Sequence, residues 1–208
     1  MKKLLFSILA TFALAAAALA QTPEEILAKM DKAMEASEEK GLSMAMDVKI
    51  PIIGTSTAMM YILGDKVRTE TKIMGQELIT FSDGTTEWEY DTVKKELKIS
   101  DATPGEDDGS EAEMFSGITD DYDVKLKKET DDTWYLECKK SKNCKDKDAP
   151  DKMDLVVSKV TNLPVSLTTK ISGIKCILRD VKIGVSEKMV HFDPADYPDA
   201  KIIDERKK

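Results

Sequence analysis

Leu42-Ser43-Met44-Ala45-Met46-Asp47-Val48-Lys49-Ile50 carries an apolar side chain at every second position. Successive side chains of a strand point to opposite faces of a sheet, so this stretch predicts a strand with one buried face. Pro51 and Gly54 end it. The pattern predicts further strands over 57–63, 66–72, 77–82, 86–91 and 95–100, with turns at Gly64-Asp65, Met74-Gly75 and Asp83-Gly84. Connections this short leave no room for crossover helices, so the strands form an antiparallel meander. Alternation resumes at 122–129, 133–139, 153–159, 163–171 and 174–185, with a charged loop from Lys139 to Lys152.

Two helical signals interrupt the strands. Thr22-Pro23-Glu24-Glu25 has the form of a capping box with proline at the first helical position. Ile26, Leu27, Met30, Ala33 and Met34 follow at helical spacing and Gly41 supplies a C-cap, which predicts one amphipathic helix over about 23–40. Between Asp101 and Asp123, Ser110-Glu111-Ala112-Glu113 repeats the capping pattern ahead of Met114, Phe115 and Ile118, predicting a short helix in a long loop. Long loops of compact domains often carry function, and this one reads as a lid. The expected architecture is mostly β (α+β). It is a strongly curved antiparallel sheet forming an incomplete barrel, with an N-terminal helix and a short mid-chain lid helix.

The chain begins with Lys2 and Lys3, an apolar run from Leu4 to Leu19, and small residues at Ala18 and Ala20. These are the three parts of a secretory signal, predicting residues 1–20 as a leader cleaved after Ala20 and 21–208 as one periplasmic domain, expected to be a monomer. The formal charge of −8 loses two lysines with the leader and becomes −10. Such a surface repels phosphate backbones and anionic head groups, which argues against nucleic acid and against unassisted binding to acidic membranes. Export also allows disulfides. Cys138 with Cys144 would close a short polar loop, Cys138 with Cys176 would tie two strands, and the spacing does not choose between them.

Signs of catalysis and of metal or cofactor binding are few. His191 is the sole histidine, its setting in Val190-His191-Phe192-Asp193-Pro194 reads as structural, and no nucleotide-binding, nucleophile-elbow or zinc motif occurs. The expectation is a protein without enzymatic activity, cofactor or metal. Methionine is the more informative residue, with ten after the leader: unbranched, polarisable side chains suit surfaces that accept variable apolar ligands. The alternation and the methionine positions together nominate an apolar cavity lined by Met30, Met34, Met44, Met46, Tyr61, Ile79, Phe81, Trp88, Leu97, Met114 and Phe115.

Ser82-Asp83-Gly84-Thr85-Thr86-Glu87-Trp88-Glu89-Tyr90 resembles the Ser-Asp-Gly-x-x-x-Trp-x-Tyr turn and strand of LolA, the periplasmic outer-membrane lipoprotein carrier family. Phe192-Asp193-Pro194 with the tail Ile202-Ile203-Asp204-Glu205 is similar to that family's closing Phe-x-Pro strand and aliphatic-acidic end. The resemblance implies an incomplete barrel under a helical lid that shields the acyl chains of lipoproteins between inner and outer membrane. The implied partners are an inner-membrane extraction transporter and an outer-membrane receptor. The same fold also serves the alternative of an envelope lipid or lipoprotein sensor with no transport role. One departure stands out. The family's basic residue before a proline, thought to latch the lid, is replaced by Leu63-Gly64-Asp65, leaving Lys66 and Arg68 as substitutes.

Overall fold

A computed structural model describes residues 21–102, 115, 117–147 and 149–206. The leader, the capping pattern at Ser110–Glu113 and Met114 lie outside the described residues.

The described residues build one sheet of twelve strands. In chain order these are β1 (Leu42–Ile50), β2 (Gly54–Leu63), β3 (Lys66–Ile73), β4 (Gln76–Ser82), β5 (Thr86–Asp91), β6 (Glu96–Asp101), β7 (Tyr122–Glu129), β8 (Thr133–Lys140), β9 (Lys152–Ser158), β10 (Pro164–Ile171), β11 (Ile174–Ile183) and β12 (Lys201–Asp204). The order across the sheet is β12-β6-β5-β4-β3-β2-β1-β11-β10-β9-β8-β7. Two meanders are therefore joined by the β1–β11 pairing. The outer strands β12 and β7 do not meet, so the sheet curls into an incomplete barrel. The meander strands fall where the two-residue alternation places them. β12 is the exception: it pairs parallel with β6, and four residues of Lys-Ile-Ile-Asp carry too short an alternation to announce a strand.

Turn chemistry fixes the register of the hairpins. Met74 and Gly75 both have positive φ, 50° and 80°, as do Ser172 and Gly173 at 50° and 84°, the two-residue geometry that matches strand twist. At β11, Asp180 (φ 57°) sits at a register shift between the partners of Ser43 and Ala45, a bulge that turns both Leu178 and Val181 into the same buried cluster. Beside it the Arg179 guanidinium grips Asp47 of β1 twice, Nε to Oδ2 at 2.8 Å and Nη2 to Oδ1 at 3.1 Å. These bonds hold the Asp47 carboxyl below the usual carboxylate range.

The N-terminal helix is observed as α1 (Pro23–Met34) and α2 (Ala36–Lys40). Its capping box forms in both directions, Glu25 N–H to Thr22 Oγ1 and Thr22 N–H to the Glu25 carboxylate. The break arises where the Ser37 hydroxyl donates to the Met34 carbonyl at 2.6 Å, a local bond that competes with the helical ladder. Between Phe115 and β7 lies a single turn, α3 (Ile118–Asp121), and after β11 another, α4 (Glu187–Val190), followed by a 3-10 turn at Pro194–Asp196.

Gly41 ends the helix at φ 77°, and its backbone is wedged against β2 and the chain after β11. A Cβ there would lie 2.5 Å from the Ile62 carbonyl oxygen and 2.9 Å from Val185 Cβ. Gly41→Ala is therefore expected to cost about 2 kcal/mol or more, through overpacking and the positive φ. Urea denaturation measures it, and a loss below about 0.5 kcal/mol would contradict the packing described, being no more than an ordinary surface change.

Candidate functional site

Directly paired residues share a face of the sheet, so the register assigns every side chain to one side. One row runs from Asp91 through Leu78, Thr71, Ala58 and Met46 to Leu178, Leu167, Leu155, Leu136 and Leu126. Its composition changes along the way. From β1 towards β7 it is methionine and five leucines; towards β5 it turns to threonine and aspartate.

The apolar half of this face packs beneath α1. Ile26, Leu27, Met30 and Met34 of the helix join Leu42 and Met44 of β1, Met60 and Ile62 of β2, and Trp134, Cys138, Met153 and Leu155 of the far strands in one buried cluster. Phe115 and Ile118, which flank the start of α3, enter the same cluster, and Met46 packs against it. Met30, Met44 and Leu155 have no solvent exposure. The interior under α1 is therefore filled by the chain's own side chains, with five methionines among them.

The polar half of the same face carries Thr69, Thr80, Glu87, Glu89, Asp91 and Lys98. Glu89 pairs with Lys98 at 3.5 Å and Asp91 with Lys94 at 3.0 Å. A carboxyl acting as a general acid needs its pKa raised; the Lys94 backbone and side chain hold Asp91 in the opposite direction.

The remaining nominated residues lie across the sheet. Tyr61, Arg68, Phe81, Trp88 and Ile99 form one row of the opposite face, and Met59, Glu70, Ile79, Tyr90, Leu97 and Ile202 form the next. Phe81 and Leu97 are buried, yet neither belongs to the cluster under α1. The C-terminal segment covers them. Phe192 stacks on Trp88 (4.9 Å between centroids, planes 14° apart), meets Phe81 edge-on, and stacks in turn on Tyr197, which leans on Tyr90. Burial pushes the Tyr197 hydroxyl above its usual pKa.

The eleven nominated residues thus do not line one space. Met30, Met34, Met44, Met46 and Phe115 come together under α1. Tyr61, Ile79, Phe81, Trp88 and Leu97 face the other way, and Met114 lies outside the described residues. The alternation of 77–82 and 86–91 is apolar at odd and even positions respectively, and only pairing with β3 shows that these positions share a face with Tyr61 rather than with Met60. Phe192 and Tyr197, the aromatic partners that alternation could not reveal, sit in irregular chain; Phe192-Asp193-Pro194 is not a strand.

Lys66 and Arg68 also face this second side. Arg68 pairs with Glu70 at 2.6 Å, lies over the rings of Tyr61 and Phe81, and points Nη1 at the Met189 carbonyl 3.4 Å away. Its Nε is buried and has no hydrogen-bond partner among the described residues. Lys66 pairs with Glu187 of α4. Both cations therefore hold the C-terminal segment, and neither reaches towards α1.

The three cysteines are free thiols in this structure. Cys138 is inside the cluster, where burial pushes its thiol up to about 12; burial and a bond with Asp121 also raise Cys144. His191 follows α4 and is exposed. Among the described residues no group of three or more metal-ligating side chains forms, and no helix is long and apolar enough to cross a membrane.

No protein-family model and no curated protein sequence matches the chain. Several solved structures do. A conserved protein of Thermus thermophilus, described as uncharacterized, is 17% identical with a TM-score of 0.48, over 89% of this chain and all of that one. The MucA/MucB complex of Pseudomonas aeruginosa holds a chain 12% identical with a TM-score of 0.45; 81% of this chain aligns, spanning 61% of that one. A LolA superfamily protein of Nitrosomonas europaea is 15% identical with a TM-score of 0.34, over 84% of this chain and 99% of its own. Likenesses this distant do not extend to function.

The stack on Trp88 makes a prediction about the second face. Phe192→Ala removes one half-buried ring from an aromatic cluster, and is expected to lower stability by about 2 kcal/mol. Urea denaturation reads it, and an unchanged midpoint would show that the C-terminal segment is not clamped as described.

Proposed function

We propose that this protein is a periplasmic carrier that shields acyl chains of lipids or lipoproteins in the apolar space between α1 and the sheet. The observation that carries the reading is the cluster of Met30, Met34, Met44, Met60 and Met153 beneath one helix. Methionine has three rotatable bonds and a polarisable sulfur, so such an interior can repack around a guest when α1 lifts. Its nearest neighbours, leucine and valine on the far strands, supply a stiffer floor.

Magnitudes favour a filled resting state. At about 0.8 kcal/mol per buried CH₂, a sixteen-carbon chain gains on the order of 12 kcal/mol on leaving water. Three such chains, fully buried in an open cavity, would pass the practical ceiling of about 20 kcal/mol and could not be released. An interior that must first part its own side chains lowers the net gain and keeps transfer reversible. The resemblance to LolA supplies the rest of the reading: export, lipoprotein cargo loaded by an inner-membrane transporter, delivery to an outer-membrane receptor, and no catalytic step.

The completeness of the packing favours a second reading. Side chains as buried as Met30, Met44 and Leu155 suit an envelope sensor or interaction protein that uses the packed sheet as a platform. Displacement of a fluorescent fatty acid, with native mass spectrometry on protein purified without detergent, separates the two. The carrier is expected to bind the probe and retain lipid. The triple change Met30→Leu, Met44→Leu and Met60→Leu conserves volume and fold while removing adaptability, and should weaken binding about fivefold. A protein that takes up no probe and carries no lipid is a platform, not a carrier.

A further inference from the structure

The acidic residues of this chain are unevenly placed. There are 39 in all, yet none occurs from Val48 to Gly64 or from Leu155 to Arg179. These two stretches contain the β1–β2 and β10–β11 hairpins, and β2-β1-β11-β10 are consecutive in the sheet. Both turns point the same way, because β1 ends at Ile50 opposite Gly54 while β11 begins at Ile174 opposite Ile171.

Next to these turns Lys49 is paired directly with Lys175, and Lys175 with Lys170. Three ammonium groups therefore line up on one face across three adjacent strands, an arrangement in which like charges destabilise the sheet. None of the three makes an ion pair among the described residues. Two carboxylates share that face beside the row, and both are already engaged: Asp47 with Arg179, and Asp154, opposite Thr168, with Lys152.

The tips beside this row are apolar. Ile52 is fully exposed, Ile53 is 53% exposed and Ile171 is 45% exposed. Ile52 also has φ 73°, a conformation in which a β-branched residue is strained and asparagine or glycine is at ease. Met74, at the β3–β4 tip further along the sheet, is exposed as well. Neither the strain nor the lysine row benefits the folded chain by itself.

We propose that the adjoining tips of the β1–β2 and β10–β11 hairpins are a docking edge for an anionic phospholipid bilayer. Ile52, Ile53 and Ile171 enter the head-group boundary, and Lys49, Lys170 and Lys175 meet lipid phosphates. The charge complementarity is local. A molecule with a formal charge of −10 after loss of the leader is repelled by anionic membranes as a whole, and this acid-free edge opposes that repulsion locally, so the same charges that favour docking also orient it. A bilayer fits better than an acidic protein because shallow insertion needs no matching pocket, and these tips offer protruding fingers rather than a groove. The inference does not depend on the carrier reading: it concerns a different end of the sheet and requires no cargo.

Flotation of the purified protein with vesicles tests it, comparing phosphatidylglycerol mixed into phosphatidylcholine against phosphatidylcholine alone, at low and at physiological ionic strength. The protein is expected to float with the anionic vesicles, more strongly at low salt. Lys49→Gln with Lys170→Gln and Lys175→Gln should weaken partitioning roughly a hundredfold, each lysine near such a surface being worth about fivefold. Ile52→Asn with Ile53→Ser and Ile171→Ser should weaken it comparably while leaving the circular dichroism spectrum native and the urea midpoint no lower than the wild type's, since the tips are exposed and asparagine relieves the strain at position 52. Val160→Ser, at an exposed turn of the opposite end, should change nothing. Absence of the wild-type protein from anionic vesicles would overturn the proposal, as would undiminished binding by either triple variant. Preferential capture by polyglutamate in competition with the vesicles would also overturn it, pointing to an acidic protein partner.

Discussion

Everything in this fold depends on strict two-residue alternation carried through in-register pairing. A strand that pairs residue by residue with its neighbour passes on its choice of face, so the placement of Met46 at β1 decides that of Ala58, Thr71 and Leu78 on one side and of Leu178, Leu167, Leu155, Leu136 and Leu126 on the other. A slip of one residue would exchange the two faces wholesale. Two devices prevent it. Two-residue turns with positive φ set the β3–β4 and β10–β11 hairpins, and the doubly bonded Asp47–Arg179 pair beside the Asp180 bulge sets the junction of β1 with β11, which no hairpin closes.

That inheritance produces two cores of different character. Under α1 the cluster is mainly aliphatic and rich in methionine, with Phe115, Tyr122 and Trp134 as its aromatics among the described residues, and it is closed by one capped helix. Across β3 to β6 the opposite face is aromatic, and Phe192 and Tyr197 stack onto it from a chain segment held by Arg68 and Lys66. Offset and edge-on rings have defined geometry and resist repacking, whereas methionine side chains adapt. The adaptable interior and the rigid clamp therefore sit back to back on one sheet, and opening the first need not disturb the second.

Much of this was legible in the sequence because strand, turn and cap signals are local. Leu42–Ile50, Met74-Gly75 and the Thr22–Glu25 box each contain their own explanation, and each forms as read. The partition of site residues was not legible. Phe81 and Trp88 look like Met44 in an alternating strand; only the register through β3, where Arg68 stands between Tyr61 and Phe81 and Glu70 between Met59 and Ile79, puts them on the other face. Phe192 and Tyr197 carry no periodicity, so their role waits for the tertiary path of the tail. Net charge conceals placement in a related way. A sum of −8 over the chain hides a run of lysines that only pairing brings side by side.

The chain provides its own reporters for the central claim, since Trp134 lies in the cluster beneath α1 and Trp88 lies in the aromatic stack of the opposite face. Single-tryptophan proteins made by Trp88→Phe and Trp134→Phe can be titrated with a long-chain fatty acid while emission is recorded. An adaptable interior beneath α1 predicts that Trp134 emission shifts with saturation and Trp88 emission stays constant. A shift at Trp88 with Trp134 unchanged would place the ligand on the aromatic face and contradict the account.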